Sequence, residues 1–171
     1  SDEIYSELTF EDNYQSISNY CPQNTIISTG LSKWCGAGGW RVGFFAVPSS
    51  LSELLENIKT LASESYSTVN SPAQFAAVEA YEGDHEEYKA KTLNILKSVG
   101  NYVYNNLKSN KVLINSPQGA FYLMPEFLNK KYKTSTELCE KILDETGVAM
   151  LPASDFGFGP KRMLTRLCYI D

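Results

Sequence analysis

The chain has 171 residues, 43% hydrophobic and 20% charged, enough for one ordinary domain or two small lobes with a real core. Its net charge of −5 and the lack of a basic stripe argue against a nucleic-acid binder. No apolar run approaches the roughly 20 residues that cross a bilayer, which argues against a membrane span.

The four cysteines, Cys21, Cys35, Cys139 and Cys168, are scattered, with no Cys-x-x-Cys pair to suggest zinc or thioredoxin-like chemistry. They read as reduced thiols, and the first residues show no signal-peptide pattern, so a cytoplasmic location is expected. The single histidine, His85, stands beside Asp84, Glu86 and Glu87, as expected of a surface residue at a helix start. It leaves no Ser-His or Cys-His pair for a hydrolase.

Residues 1–5, Ser-Asp-Glu-Ile-Tyr, read as a strand end, and 11–20 as polar loop. A strand is expected at 25–28 and another at 40–47, closed by Pro48. Between them lies Ser-Thr-Gly-Leu-Ser-Lys-Trp-Cys-Gly-Ala-Gly-Gly-Trp-Arg-Val-Gly, residues 28–43. One lysine, Lys33, sits there among small residues, with Arg41 eight positions on. Burial and a neighbouring cation both lower an ammonium pKa, and a neutral amine can attack a carbonyl to form a Schiff base. Glycines let backbone approach a bulky ligand, and a guanidinium fork suits a phosphate. These are the parts a pyridoxal phosphate (PLP) site needs.

Ser50 or Ser52 is expected to cap a helix with a core stripe of Leu51, Leu54, Leu55, Ile58 and Leu61. Ser71 and Pro72 read as N-cap and first residue of the next helix, which stops at Gly83. Thr68 and Asn70 before it read as loop. A long helix is expected from Asp84 to about Lys108, with Tyr88, Leu93, Ile95, Leu96, Val99, Val103 and Leu107 on its apolar face and Gly100 as a soft spot. Strands at 112–115 and 119–124 flank a Ser-Pro-Gln turn. Thr134 or Ser135 caps a helix ending at Gly147, a strand at 148–152 leads to Asp155-Phe156-Gly157, and 163–170 reads as a last strand. Arg162 is expected at the surface.

Ser-Lys followed by Gly-Trp-Arg-Val-Gly, with the arginine eight after the lysine, resembles the class I/II aminotransferases. The resemblance extends in order through Asp-Glu-x-Tyr, Gly-Ala-Phe-Tyr (119–122), Val-Ala…Pro…Phe-Gly (148–157) and Thr-Arg-Leu (165–167). It implies that Lys33 bonds PLP and acts as general base, that Arg41 binds its phosphate, and that Ser32 matches the family serine before the lysine. It also implies that Asp2 pairs with the pyridine nitrogen, Tyr5 with the phenolic oxygen, and Arg166 with the substrate α-carboxylate. Departures are Gly30 where many members have a phosphate-contacting Ser or Thr, Ala153 for the usual Gly, and Cys168 for the usual Ser. Thr29 or Ser28 is expected to replace the contact missing at Gly30, unless it is absent.

The implied fold is the α/β type of PLP-dependent transferases. Residues 1–83 would be the C-terminal portion of the large cofactor domain, and 84–171 the small domain with its connecting helix. The glycine-rich phosphate turn, the ring-stacking aromatic residue and the asparagine of the family's earlier half are expected outside this sequence, as is the family's last helix. The implied activity is transfer of an amino group from an amino acid to a 2-oxo acid by a homodimer. A PLP-dependent lyase or synthase on the same fold, and a non-catalytic fragment, remain as alternatives.

Overall fold

The computed structural model describes residues 1–11, 13–128 and 131–170. The chain divides into two compact units, Ser1–Thr92 and Leu93–Asp171.

In the first unit, β1 (Ile27–Gly30) pairs antiparallel with β2 (Gly43–Ala46), placing Ile27 opposite Ala46 and Gly30 opposite Gly43. Both strands differ from the expected spans. The second is shorter because Gly38–Trp40 forms a 3-10 turn and Arg41 takes a left-handed conformation (φ 54°). Two successive glycines favour such a turn over a strand. Within the expected 11–20 loop, Ile17–Asn19 is also a 3-10 turn.

Two helices follow, α1 (Ser52–Ser65) and α2 (Ser71–Glu82). No serine side chain caps α1: Leu51 is its N-cap residue, and the Ser50 hydroxyl donates to the Gln23 carbonyl instead. Nor is the leucine stripe a buried core, for Leu54 and Leu61 are exposed and Leu51, Leu55 and Ile58 half-buried. At α2 the cap is one residue earlier than expected. The Asn70 side chain accepts from the Ala73 N–H at 2.9 Å, which puts Ser71 inside the helix and gives Asn70 a structural task. The core of this unit is Leu8, Leu31, Trp34, Val42 and Ala73.

The long helix, α3 (Glu86–Leu107), runs close to its expected span. Only part of its apolar face is covered: Leu96 and Gly100 are buried, while Tyr88 and Ile95 are exposed. Gly100 is no soft spot but a site of close packing. Its missing Cβ leaves room for the Tyr169 ring.

The second unit contains β3 (Val112–Leu113), β4 (Tyr122–Leu123), β5 (Glu126–Phe127), α4 (Ser135–Thr146), β6 (Leu151–Pro152) and β7 (Thr165–Cys168), most of them shorter than expected. The central strand β7 pairs antiparallel with β4 on one side and β6 on the other, and β3 pairs with β5. Thr165 at the start of β7 is fully buried and bonds the Pro125 carbonyl through both its N–H (3.0 Å) and its hydroxyl (3.3 Å). Leu123, Leu138, Cys139, Ala153, Met163 and Leu164 are also buried and form the core of this unit with it. Thr134 caps α4 by accepting from the Glu137 N–H, and Gly147 ends it in the left-handed conformation expected of a helix-terminal glycine. Among the described residues, no helix is long and apolar enough to cross a membrane.

Candidate functional site

The first residues extend the small sheet. Ser28 N–H donates to the Ser1 carbonyl and Glu3 N–H to the Ser28 carbonyl, each at 2.8 Å, so residues 1–3 run parallel beside β1. Successive side chains of extended backbone point to opposite faces. The neighbouring carboxylates therefore part: Glu3 is buried and Asp2 exposed. Asp2 Oδ1 accepts from the Ile4 N–H at 3.2 Å, a turn that carries the chain into a 3-10 segment anchored by buried Leu8.

Tyr5 stands at the head of that segment, and its ring centroid is 5.6 Å from Lys33 Nζ. Lys33 leaves β1 through a turn braced by three contacts: Gly36 N–H to the Lys33 carbonyl (3.3 Å), and Ala37 N–H and the Cys35 thiol to the Leu31 carbonyl (3.1 Å each). Its neighbours Leu31 and Trp34 are buried, whereas Lys33 and Ser32 are half-buried, so the amine is less sealed than the sequence suggests. Arg41, eight residues on, is exposed, and its Nη1 donates to the Gly38 carbonyl at 2.8 Å. The first unit thus holds Asp2, Tyr5, Ser32, Lys33 and Arg41 on residues 1–5 and the loop between β1 and β2.

Gly30 explains its own departure from the family pattern. A Cβ there would lie 2.5 Å from the Val42 carbonyl oxygen and 2.8 Å from Gly43 Cα. Both atoms are backbone, so β1 and β2 meet too closely for any side chain. Of the two expected substitutes, the Thr29 hydroxyl reaches toward the Glu3 carbonyl at 3.5 Å.

Sequence reasoning missed the support behind Asp2. The Glu3 carboxylate accepts from the Ser16 hydroxyl at 2.5 Å, and Ser16 also bonds Ser18 at 2.7 Å. Burial, then the charge and hydrogen bond of Glu3, raise the Tyr14 hydroxyl pKa above its ordinary value. The strand alternation of two adjacent acids was the signal available for this. Trp34 is likewise buried, with its indole N–H unpartnered among the described residues, and lines a hollow of about 190 Å³ with Glu7, Tyr81, His85, Glu86 and Lys89. Lys89 there bridges Glu86 (2.5 Å) and Glu7 (3.4 Å).

In the second unit, the two neighbouring arginines differ. Arg162, expected at the surface, is exposed but forms a two-point ion pair, Nε to Glu126 Oε1 at 2.9 Å and Nη2 to Oε2 at 2.7 Å. That hydrogen bonding holds the Glu126 carboxyl below its usual range. Arg166, on β7, makes no ion pair among the described residues; its Cζ lies 4.6 Å over the Tyr122 ring and 4.5 Å over the Phe156 ring. Among the described residues no cluster of His, Cys, Asp and Glu could hold a metal ion.

The first unit thus sets a lysine in the turn after β1 beside a tyrosine ring, with an acid bridged alongside β1. The family model for aminotransferase class I and II matches residues 1–171, and the chain belongs to that family, which is PLP-dependent. It is 34% identical over 156 residues to a probable N-acetyl-LL-diaminopimelate aminotransferase of Bacillus subtilis, matching 91% of this chain and 38% of that one. It is 34% identical over 166 residues to an aspartate aminotransferase of Geobacillus stearothermophilus, matching 92% and 41%. The structure is similar to that of an alanine aminotransferase from Pyrococcus furiosus (TM-score 0.86, 32% identity, 99% of this chain and 44% of that one). The chain therefore spans about two fifths of the length of the relatives it matches.

Proposed function

We propose that the chain carries the lysine-bearing part of a PLP-dependent aminotransferase, which moves an amino group from an amino acid to a 2-oxo acid. The observation that carries this reading is the placing of Lys33 Nζ 5.6 Å from the Tyr5 ring, in the turn that follows the strand beside which Asp2 is bridged. The donor set fits the cofactor group by group: an amine for its aldehyde (Lys33), a carboxylate for its pyridine nitrogen (Asp2), a phenol for its ring oxygen (Tyr5) and a guanidinium for its phosphate (Arg41), with Ser32 next to the lysine. When bound, PLP supplies an electron sink for the carbanion formed at the substrate Cα.

Lys33 would hold the cofactor through its amine and would serve as the general base for the substrate Cα proton. Asp2 would face the pyridine nitrogen and favour its protonated form. Arg166 takes the substrate carboxylate with its fork of donors. Residues 1–83 belong to the large cofactor domain and 84–171 to the small domain. The working protein is a homodimer in the cytoplasm, consistent with four unpaired cysteines.

The test is to incubate the protein with PLP, reduce with borohydride and map the adduct by mass spectrometry. A stable adduct on Lys33, abolished in Lys33→Ala, is the expected result. Labelling scattered over other lysines, or none, would overturn the reading.

A further inference from the structure

We infer that Tyr122 and Phe156 are positioning residues that set the Arg166 guanidinium to take a carboxylate; this rests on Arg166 being the carboxylate anchor proposed above. The chain has three arginines, and they meet different partners. Arg162 spends Nε and Nη2 on Glu126, with its Cζ 5.5 Å over the Phe158 ring, and Arg41 spends Nη1 on the Gly38 carbonyl. Arg166 is engaged by rings alone, its Cζ 4.6 Å over Tyr122 and 4.5 Å over Phe156, with no hydrogen bond from its guanidinium among the described residues. An aromatic face attracts the delocalised cation without consuming its N–H donors. Those donors lie in the guanidinium plane, where a carboxylate is bound by two parallel hydrogen bonds.

The two rings arrive by separate routes. Tyr122 lies on β4, paired opposite Cys168 of β7. Phe156 ends the 3-10 turn Ala153–Phe156, which follows β6, and β6 pairs Leu151 opposite Arg166. Each neighbour of the central strand thus delivers one aromatic residue to the same guanidinium. Gly157, in the left-handed conformation (φ 83°), closes the turn behind Phe156. A ring pair that fixes the plane of a long side chain removes rotamer freedom before the ligand arrives, and so lowers the entropy lost on binding.

Nitrogen-15 labelling of the arginine side chains tests this directly, since three Nε–Hε resonances are expected. Arg166, assigned by its loss in Arg166→Lys, should resonate upfield of Arg41, and further upfield than Arg162 with its single, more distant ring, and should shift on titration with pyruvate. Phe156→Leu and Tyr122→Leu should each return the resonance toward the others and raise the pyruvate dissociation constant about three- to tenfold. Phe156→Tyr and Tyr122→Phe should keep both properties. Phe156 is exposed on one side, so its truncation spares the fold, and an unchanged amide spectrum checks this. Leucine variants that bind pyruvate as the parent does would overturn the positioning role while leaving the anchor intact. A parent protein whose Arg166 ignores pyruvate, or an Arg166→Lys variant that binds it equally well, would overturn the anchor and the positioning role with it.

Discussion

The Tyr169 ring fills the place that a Cβ on Gly100 would need: Cζ and Oη would each lie 2.9 Å from it, and Pro117 Cγ 3.0 Å. The ring cannot swing aside freely, because its hydroxyl donates to the Ala120 carbonyl at 3.0 Å. Alanine in mid-helix is worth about 1 kcal/mol over glycine, and overpacking a filled site costs about 1–3 kcal/mol. The clash wins. Gly100→Ala should lose about 1–2 kcal/mol in urea unfolding. A stabilised variant would show that the ring yields.

Tyr169 should make the fold sensitive to alkali. Burial, with a lesser contribution from Cys168, pushes its hydroxyl pKa from 10.0 up to about 12. The folded protein keeps the proton while the unfolded chain releases it. This stabilisation is complete below pH 10, and it is lost as pH rises from 10 to about 12. The two-unit shift sets a loss of at most about 2–3 kcal/mol. Tyrosinate absorbance should show a component titrating near pH 12 that is lost in Tyr169→Phe, leaving Tyr14 as the remaining raised hydroxyl, and unfolding midpoints measured across this range should flatten in that variant.

Gly30→Ser would place the family's more common hydroxyl, but on a backbone that has no room for it. Val42 and Gly43 are backbone neighbours held by the β1–β2 ladder, so relief requires the strands to part. A loss of about 2–3 kcal/mol is expected, against little change for Ser28→Ala on the same strand. Chemical denaturation of both variants decides it. Equal stability would mean that the departure at position 30 has no steric cause.

The family was legible because its signature residues are chemical rather than structural. Lys33 and Arg41 keep their spacing whatever the backbone does between them, so reading a strand across Trp40 did not disturb the assignment. The helices α3 and α4 were legible from period and from Gly147. What failed was any inference from apolar residues to burial. Leu61 stands 69% exposed on a helix whose stripe suggested a core. A stripe states that a face wants a partner, not that this chain provides one. Caps failed locally for a related reason: Asn70 and Ser71 are both good caps, and only the backbone decides between them. The contrast between Arg162 and Arg166 was half visible, since the order of motifs selected Arg166. The ion pair with Glu126, 36 residues away in sequence, was not visible.

Arg41 supplies a guanidinium from a backbone position that only glycine adopts without strain (φ 54°). A stability screen would therefore favour glycine at position 41 and, in the same step, strip the loop of its guanidinium. Selection for a tougher protein and selection for an anion-binding one pull this residue in opposite directions, and libraries built on thermal tolerance alone would discard the residue proposed above for the phosphate.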